Sequence, residues 1–144
     1  MNPLNLWHSA LNMPKHDEQW HHDDMADELA EYYEAEGLLG TWSELSDVAY
    51  TYTRVRWSGH STITFPFSRL KFLTGVVYMI PKYSLRWYFF RTLGKRVNFN
   101  LLISEVRNPR KLEKLAAIAA KYQIDPTLFK TEAEKMLRYW ILLK

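Results

Sequence analysis

Cysteine is absent from the 144 residues, which excludes disulfides, thiol nucleophiles and cysteine-ligated zinc. Long apolar runs are missing too. Pro81, Lys82, Arg86 and Arg91 break the most hydrophobic stretch, so no segment reaches the roughly 20 apolar residues of a transmembrane helix. Met1 to Met13 lack the basic start and apolar run that mark a signal peptide, and a cytoplasmic chain is expected. Neither an internal repeat nor a low-complexity linker is visible, and the length fits a single domain over 1–144. Basic residues are scarce in the first third. Residues 1–47 hold eleven Asp/Glu against Lys15 alone, net −10, while residues 48–144 hold eighteen Lys/Arg against five Asp/Glu, net +13. So uneven a division suggests an acidic part that holds cations and a basic part that meets anions, or two parts that neutralise each other.

What is present is apolar and aromatic. Apolar residues make up 47% and aromatic residues 15%, enough to build a core. Pro14 fits the first turn of a helix, where its missing N–H costs nothing, and a helix is expected over about 14–36, stopped by Gly37. Residues 1–13 read as an irregular lead-in. Thr41-Trp42-Ser43-Glu44 has the form of a capping box and should open a second helix over about 41–58, ended by Ser58-Gly59. Trp42, Leu45, Ala49 and Tyr52 make its apolar face; Glu44, Asp47, Thr51 and Arg54 make another. The short link predicts antiparallel packing.

Residues 60–107 are less regular. Ser61 to Phe65 alternates like an extended segment. Leu70, Leu73, Val77 and Ile80 suit a helix ending at Pro81, and Tyr83 to Leu93 suits a second helix stopped by Gly94, although the same runs also fit a hairpin. Val97 to Val106 reads as strand or loop. Asn108-Pro109 and Asp125-Pro126 are N-cap and first-turn proline pairs, predicting helices over about 109–122 and 126–142. The expected fold is mainly α, an antiparallel helical bundle with an irregular aromatic, basic insertion.

The acidic residues carry the chemistry. Glu28 and Glu31 share a face of the first helix, and Glu44 and Asp47 share one of the second. Antiparallel packing brings the four carboxylates together, where they repel and lose hydration unless a cation joins them. Oxygen donors suit Mg²⁺ or Mn²⁺. The plain alternative is a solvated acidic face, with Glu44 a mere cap. Asp17, His21, Asp24, Glu28 and Glu31 extend one stripe along the first helix, which adds Asp24 as a further ligand and His21 as a ligand or substrate contact. Trp20, Trp42 and Tyr50 can stack on a base or fill the core.

With Glu28-Leu29-Ala30-Glu31 and Glu44-Leu45-Ser46-Asp47 separated by twelve residues, the chain resembles the all-α nucleoside triphosphate pyrophosphohydrolases, the MazG and dCTP pyrophosphatase-like superfamily. Tyr122-Gln123-Ile124-Asp125-Pro126 is similar to the turn into that family's last helix, and Lys135, Arg138 and Tyr139 resemble its basic tail. The resemblance covers residues 23–53 and about 115–140. It implies a metal held by Glu28, Glu31, Glu44 and Asp47, hydrolysis of a nucleotide-like triphosphate or diphosphate between the α- and β-phosphates with pyrophosphate leaving from the triphosphate, phosphate contacts from Lys135 and Arg138, and a homo-oligomer. Two departures stand out. A second alignment puts Asp24 and Met25 where acids are expected, and Met25 cannot ligate Mg²⁺. Residues 60–107 also replace a near-direct connection. Both leave open a scaffold that acts on a non-nucleotide metabolite or only binds.

From Arg54 to Lys114, thirteen Lys/Arg interleave with eleven aromatic residues. Arg54 is a further candidate substrate contact. The segment reads as a phosphate-binding cover, a nucleic-acid surface, an amphipathic stretch at an anionic membrane, or core helices with solvated basic faces.

Overall fold

Asp17, not Pro14, starts the first long helix. A computed structural model describes residues 3–10, 12–100, 108–109 and 111–140. There the Asp17 carboxylate accepts from the Trp20 backbone N–H at 2.8 Å, and helix α2 runs Glu18–Glu34. A side-chain acceptor satisfies a backbone donor that a proline leaves unpaired. The segment expected to be an irregular lead-in contains helix α1, Pro3–Ala10.

The second expected start also moves. Helix α3 spans Gly37–Ser58 and begins four residues before the capping-box threonine. Thr41 lies inside it, and its Oγ1 donates to the Gly37 carbonyl at 3.0 Å. Glu44 is therefore an interior residue, relieved of any capping role. The predicted end holds: Gly59 adopts φ 101°, and its N–H returns to the last turn, as a left-handed C-terminal glycine allows.

The apolar stripe Leu70 to Ile80 and the segment after Pro81 form one helix, α4, Arg69–Arg96, with Pro81 inside it. An interior proline costs about 3 kcal/mol. Burial of Met79 on one side, and of Phe89, Phe90 and Leu93 on the other, returns roughly 1.5–3 kcal/mol per side chain, so the helix continues. The predicted stop at Gly94 fails for the same reason. Ser61 to Phe65 does not pair, and no strand occurs among the described residues. Residues 97–100 are not a strand either, and 101–107 lie outside the described residues.

Near the end, α5 covers Leu112–Lys121 with Lys111 at its N-cap; the Asn108 carbonyl instead accepts from the Lys111 N–H at 3.1 Å. Asp125 caps α6, Pro126–Leu137, as expected, accepting from Thr127 and Leu128. A turn closes α6 before the expected boundary, with the Tyr139 and Trp140 N–H groups both donating to the Met136 carbonyl. The molecule is thus mainly helical, with six helices among the described residues.

Two compact units divide the chain, residues 1–81 and 82–144. In the first, α2 and α3 pack closely and antiparallel: His21 meets Ser58, Asp24 meets Thr51, and Glu28 faces Asp47. Their seam is filled by Met25, Val48, Val55 and Ile63, with Leu29, Tyr32, Tyr52, Phe65 and Phe67 around them. In the second unit, Phe89, Phe90 and Leu93 join Leu115, Ile118, Phe129, Ala133 and Met136 in a separate core.

Candidate metal centre

Met25, Leu29 and Tyr32 turn one side of α2 into the seam. Asp24, Glu28 and Glu31 occupy the adjacent side, as a period of 3.6 residues requires. On α3, Val48 and Val55 enter the same seam, which leaves Glu44, Asp47, Thr51 and Arg54 on the flank toward those acids. Antiparallel packing then brings the two acidic flanks together. Carboxylate oxygens of Glu28, Glu31 and Glu44 all lie within 4.8 Å of one another. Glu28 and Glu44 are half-buried, and Glu31 is exposed.

Burial pushes the Glu28 carboxyl up to about 7, and the charges of Asp47, Glu31, Asp24 and Glu44 add to the rise. Asp47 thus belongs to the electrostatic environment of Glu28, although the close group of oxygens comprises the three glutamates. Asp24 lies toward the other end of the groove, where its Oδ2 accepts from Thr51 Oγ1 at 3.3 Å. Burial raises its pKa, partly offset by the charge of Arg54. Met25 is part of the seam, not of the acidic flank, so the position that lacks an acid points elsewhere. The donor set is all oxygen, opens to solvent at Glu31, and gathers negative charge that a divalent cation would neutralise.

The other expected contacts are differently placed. Trp20 stacks on His16 at 3.9 Å between centroids, and the buried Arg54 guanidinium lies 4.6 Å from the Trp20 ring. Arg54 also donates to the Pro14 carbonyl at 3.3 Å. His21 is fully buried, and its Nε2 lies 3.0 Å from Ser58 Oγ. Burial lowers its pKa to about 4, helped by Arg54, His60 and His16. Trp42 meets Tyr78 edge-on, and Tyr50 meets His8. Lys135 and Arg138 belong to the second unit, where Lys135 donates to Glu132 at 2.7 Å and Arg138 caps the end of α6.

His8 escaped the sequence reading because α1 did. Its Nε2 lies 2.9 Å from Thr53 Oγ1. Thr53 donates its hydroxyl proton to the Tyr50 carbonyl at 2.8 Å, so the His8 Nε2–H must donate and Nδ1 carries the lone pair. That Nδ1 is buried without a partner. The available signal was Pro3 followed by apolar Leu4, Leu6 and Trp7, a first-turn proline before a short amphipathic pattern.

Comparisons with protein-family models, with curated proteins and with solved structures return no match.

Proposed function

We propose that the chain is a divalent-metal-dependent hydrolase that cleaves a nucleotide-like triphosphate or diphosphate between its α- and β-phosphates, releasing pyrophosphate from the triphosphate or orthophosphate from the diphosphate. The carrying observation is the approach of Glu28, Glu31 and Glu44 within 4.8 Å across two helices, with Asp47 close enough to raise the Glu28 pKa. The half-buried carboxyls of Glu28, Glu44 and Asp47 and the exposed carboxyl of Glu31 repel one another in the ionised state. A divalent cation would relieve this repulsion. The likeness to the all-α pyrophosphohydrolases supports the reaction class through the same four residues.

Glu28, Glu31 and Glu44 would hold Mg²⁺ or Mn²⁺, with Asp47 beside them and Asp24 farther along the groove. Such an ion supplies charge neutralisation at a phosphoryl group and lowers the pKa of water. One of the carboxylates would orient that water or take its proton. Half-burial of Glu28, Glu44 and Asp47 strengthens their field on any cation or phosphate they meet.

Release of pyrophosphate from a panel of nucleoside triphosphates, and of orthophosphate from the diphosphates, with Mg²⁺ or Mn²⁺ tests the proposal. Turnover by the wild type, reduced at least ~100-fold in Glu44→Gln, is the expected result. Metal-independent turnover, or none on any substrate, rejects hydrolysis. Metal binding without turnover would favour the binding-only scaffold.

A further inference from the structure

Helix α4 is apolar on two opposite sides over residues 69–81. One side is pinned to α3 at Gly75, where an added Cβ would fall 2.8 Å from the Leu45 carbonyl oxygen and 3.0 Å from the Ala49 Cβ. Residues two positions away on an α-helix point about 200° away, so Leu73 and Val77 face outward. They continue into a stripe: Leu70 is 74% exposed, Leu73 49%, Val77 67% and Ile80 63%. Four large aliphatic residues in a row on a helix already packed along its other side are an unpartnered face.

We infer that this stripe pairs with the same stripe of a second copy of the chain, the two α4 helices lying antiparallel about a two-fold axis. The spacing specifies the partner. Steps of three, four and three residues form a coiled-coil seam and read the same from either end. An antiparallel copy therefore sets Leu70 against Ile80 of its mate and Leu73 against Val77, an isologous contact with each residue used twice.

Charge agrees. The seam is flanked by Thr74, Val76 and Pro81, and Arg69 is the flanking charge. In the antiparallel arrangement the two Arg69 side chains stand at opposite ends, whereas a parallel pair would set them side by side. The same flanks disfavour a membrane surface, since an interfacial helix places Lys and Arg along the borders of its apolar face. The four residues expose roughly 450 Å² per copy. Complete burial of the four residues on both copies would remove at most about 900 Å² before the rim is counted, close to the ~1,000 Å² that a specific interface needs. The stripe lies in the segment that the family resemblance does not cover, and the inference is independent of the hydrolase proposal.

Sedimentation equilibrium of the full chain tests it. At a concentration on the order of 100 µM, the wild type should be dimeric. Val77→Glu and Leu73→Glu should each be monomeric, with Kd weakened at least ~100-fold and unchanged helical circular dichroism. Leu128→Glu, an exposed position in the second unit, should stay dimeric. Mixing Leu73→Glu with Val77→Lys should restore a heterodimer, because antiparallel pairing sets the new carboxylate of one copy against the new ammonium of the other. A monomeric wild type, or a dimer indifferent to both seam variants, overturns the inference. So does a monomer that binds phosphatidylcholine–phosphatidylglycerol vesicles through Val77, which would assign the face to lipid.

Discussion

At the residue scale, the acidic groove sets stability against charge. Glu28 has its folded pKa raised from about 4.5 to about 7, so the native state holds a proton that the unfolded chain has already released. The fold loses that advantage as pH rises through this window, and above pH 7 the ionised Glu28 is a net cost, about 3 kcal/mol from the shift alone and on the order of 1–2 kcal/mol once solvent screens the half-buried group. Glu28→Gln should therefore raise the melting temperature of metal-free protein at pH 8 and abolish any upward shift on adding Mn²⁺. A lower melting temperature would show that the carboxylate is not strained. The histidines act in the opposite direction. His8 and His21 are held near pKa 4 by burial and by Arg54, below the 6.5 of an exposed imidazole. The unfolded chain binds more protons between those values, so stability is complete above about pH 6.5 and falls as the pH approaches 4, by up to about 3 kcal/mol per ring. Denaturant unfolding between pH 7 and 4.5 should show this decline, and His21→Gln should flatten it. An unchanged slope in that variant would remove His21 as a cause.

At the scale of elements, the close crossing of α4 over α3 depends on Gly75. Alanine there gains up to about 1 kcal/mol of helix propensity, but its Cβ meets a backbone oxygen of α3 at 2.8 Å, which cannot move without bending the helix. Overpacking of this kind costs about 1–3 kcal/mol. Gly75→Ala should lower the denaturation midpoint, and a neutral or stabilising result would contradict the crossing. The elements also show how much was legible. Helical period and the terminal signals Gly59 and Asp125-Pro126 are local, and they mark real boundaries. Pro14 and Thr41 are equally good local signals that lose. Asp17 supplies a side-chain acceptor that Pro14 cannot, and Gly37 lets α3 begin earlier. Pro81 and Gly94 looked like stops because the burial of Phe89, Phe90 and Leu93, which carries the helix past them, is tertiary. The acidic pairs were readable for the converse reason: spacings of three residues on neighbouring helices need only antiparallel packing to converge. His8, the burial of Arg54 and the outward direction of the α4 stripe depend on which faces touch, and periodicity does not record that.

At the scale of the whole molecule, charge is divided as the chain is. The first unit holds eleven Asp/Glu against five Lys/Arg, and the second fourteen Lys/Arg against five Asp/Glu. The acidic excess concentrates on α2 and the start of α3, where Glu28, Glu31 and Glu44 meet. A field of one sign in a partly desolvated groove raises the local concentration of the opposite ion. Among the described residues no helix is long and apolar enough to cross a membrane. The central claim is that one cation is shared by carboxylates of two helices. Isothermal titration of the metal-free protein with Mn²⁺ at pH 7.5 measures this directly. The account predicts saturable binding with one ion per chain, accompanied by proton release and abolished in Glu44→Gln. Failure of the wild type to bind, or equal binding by the variant, would contradict it.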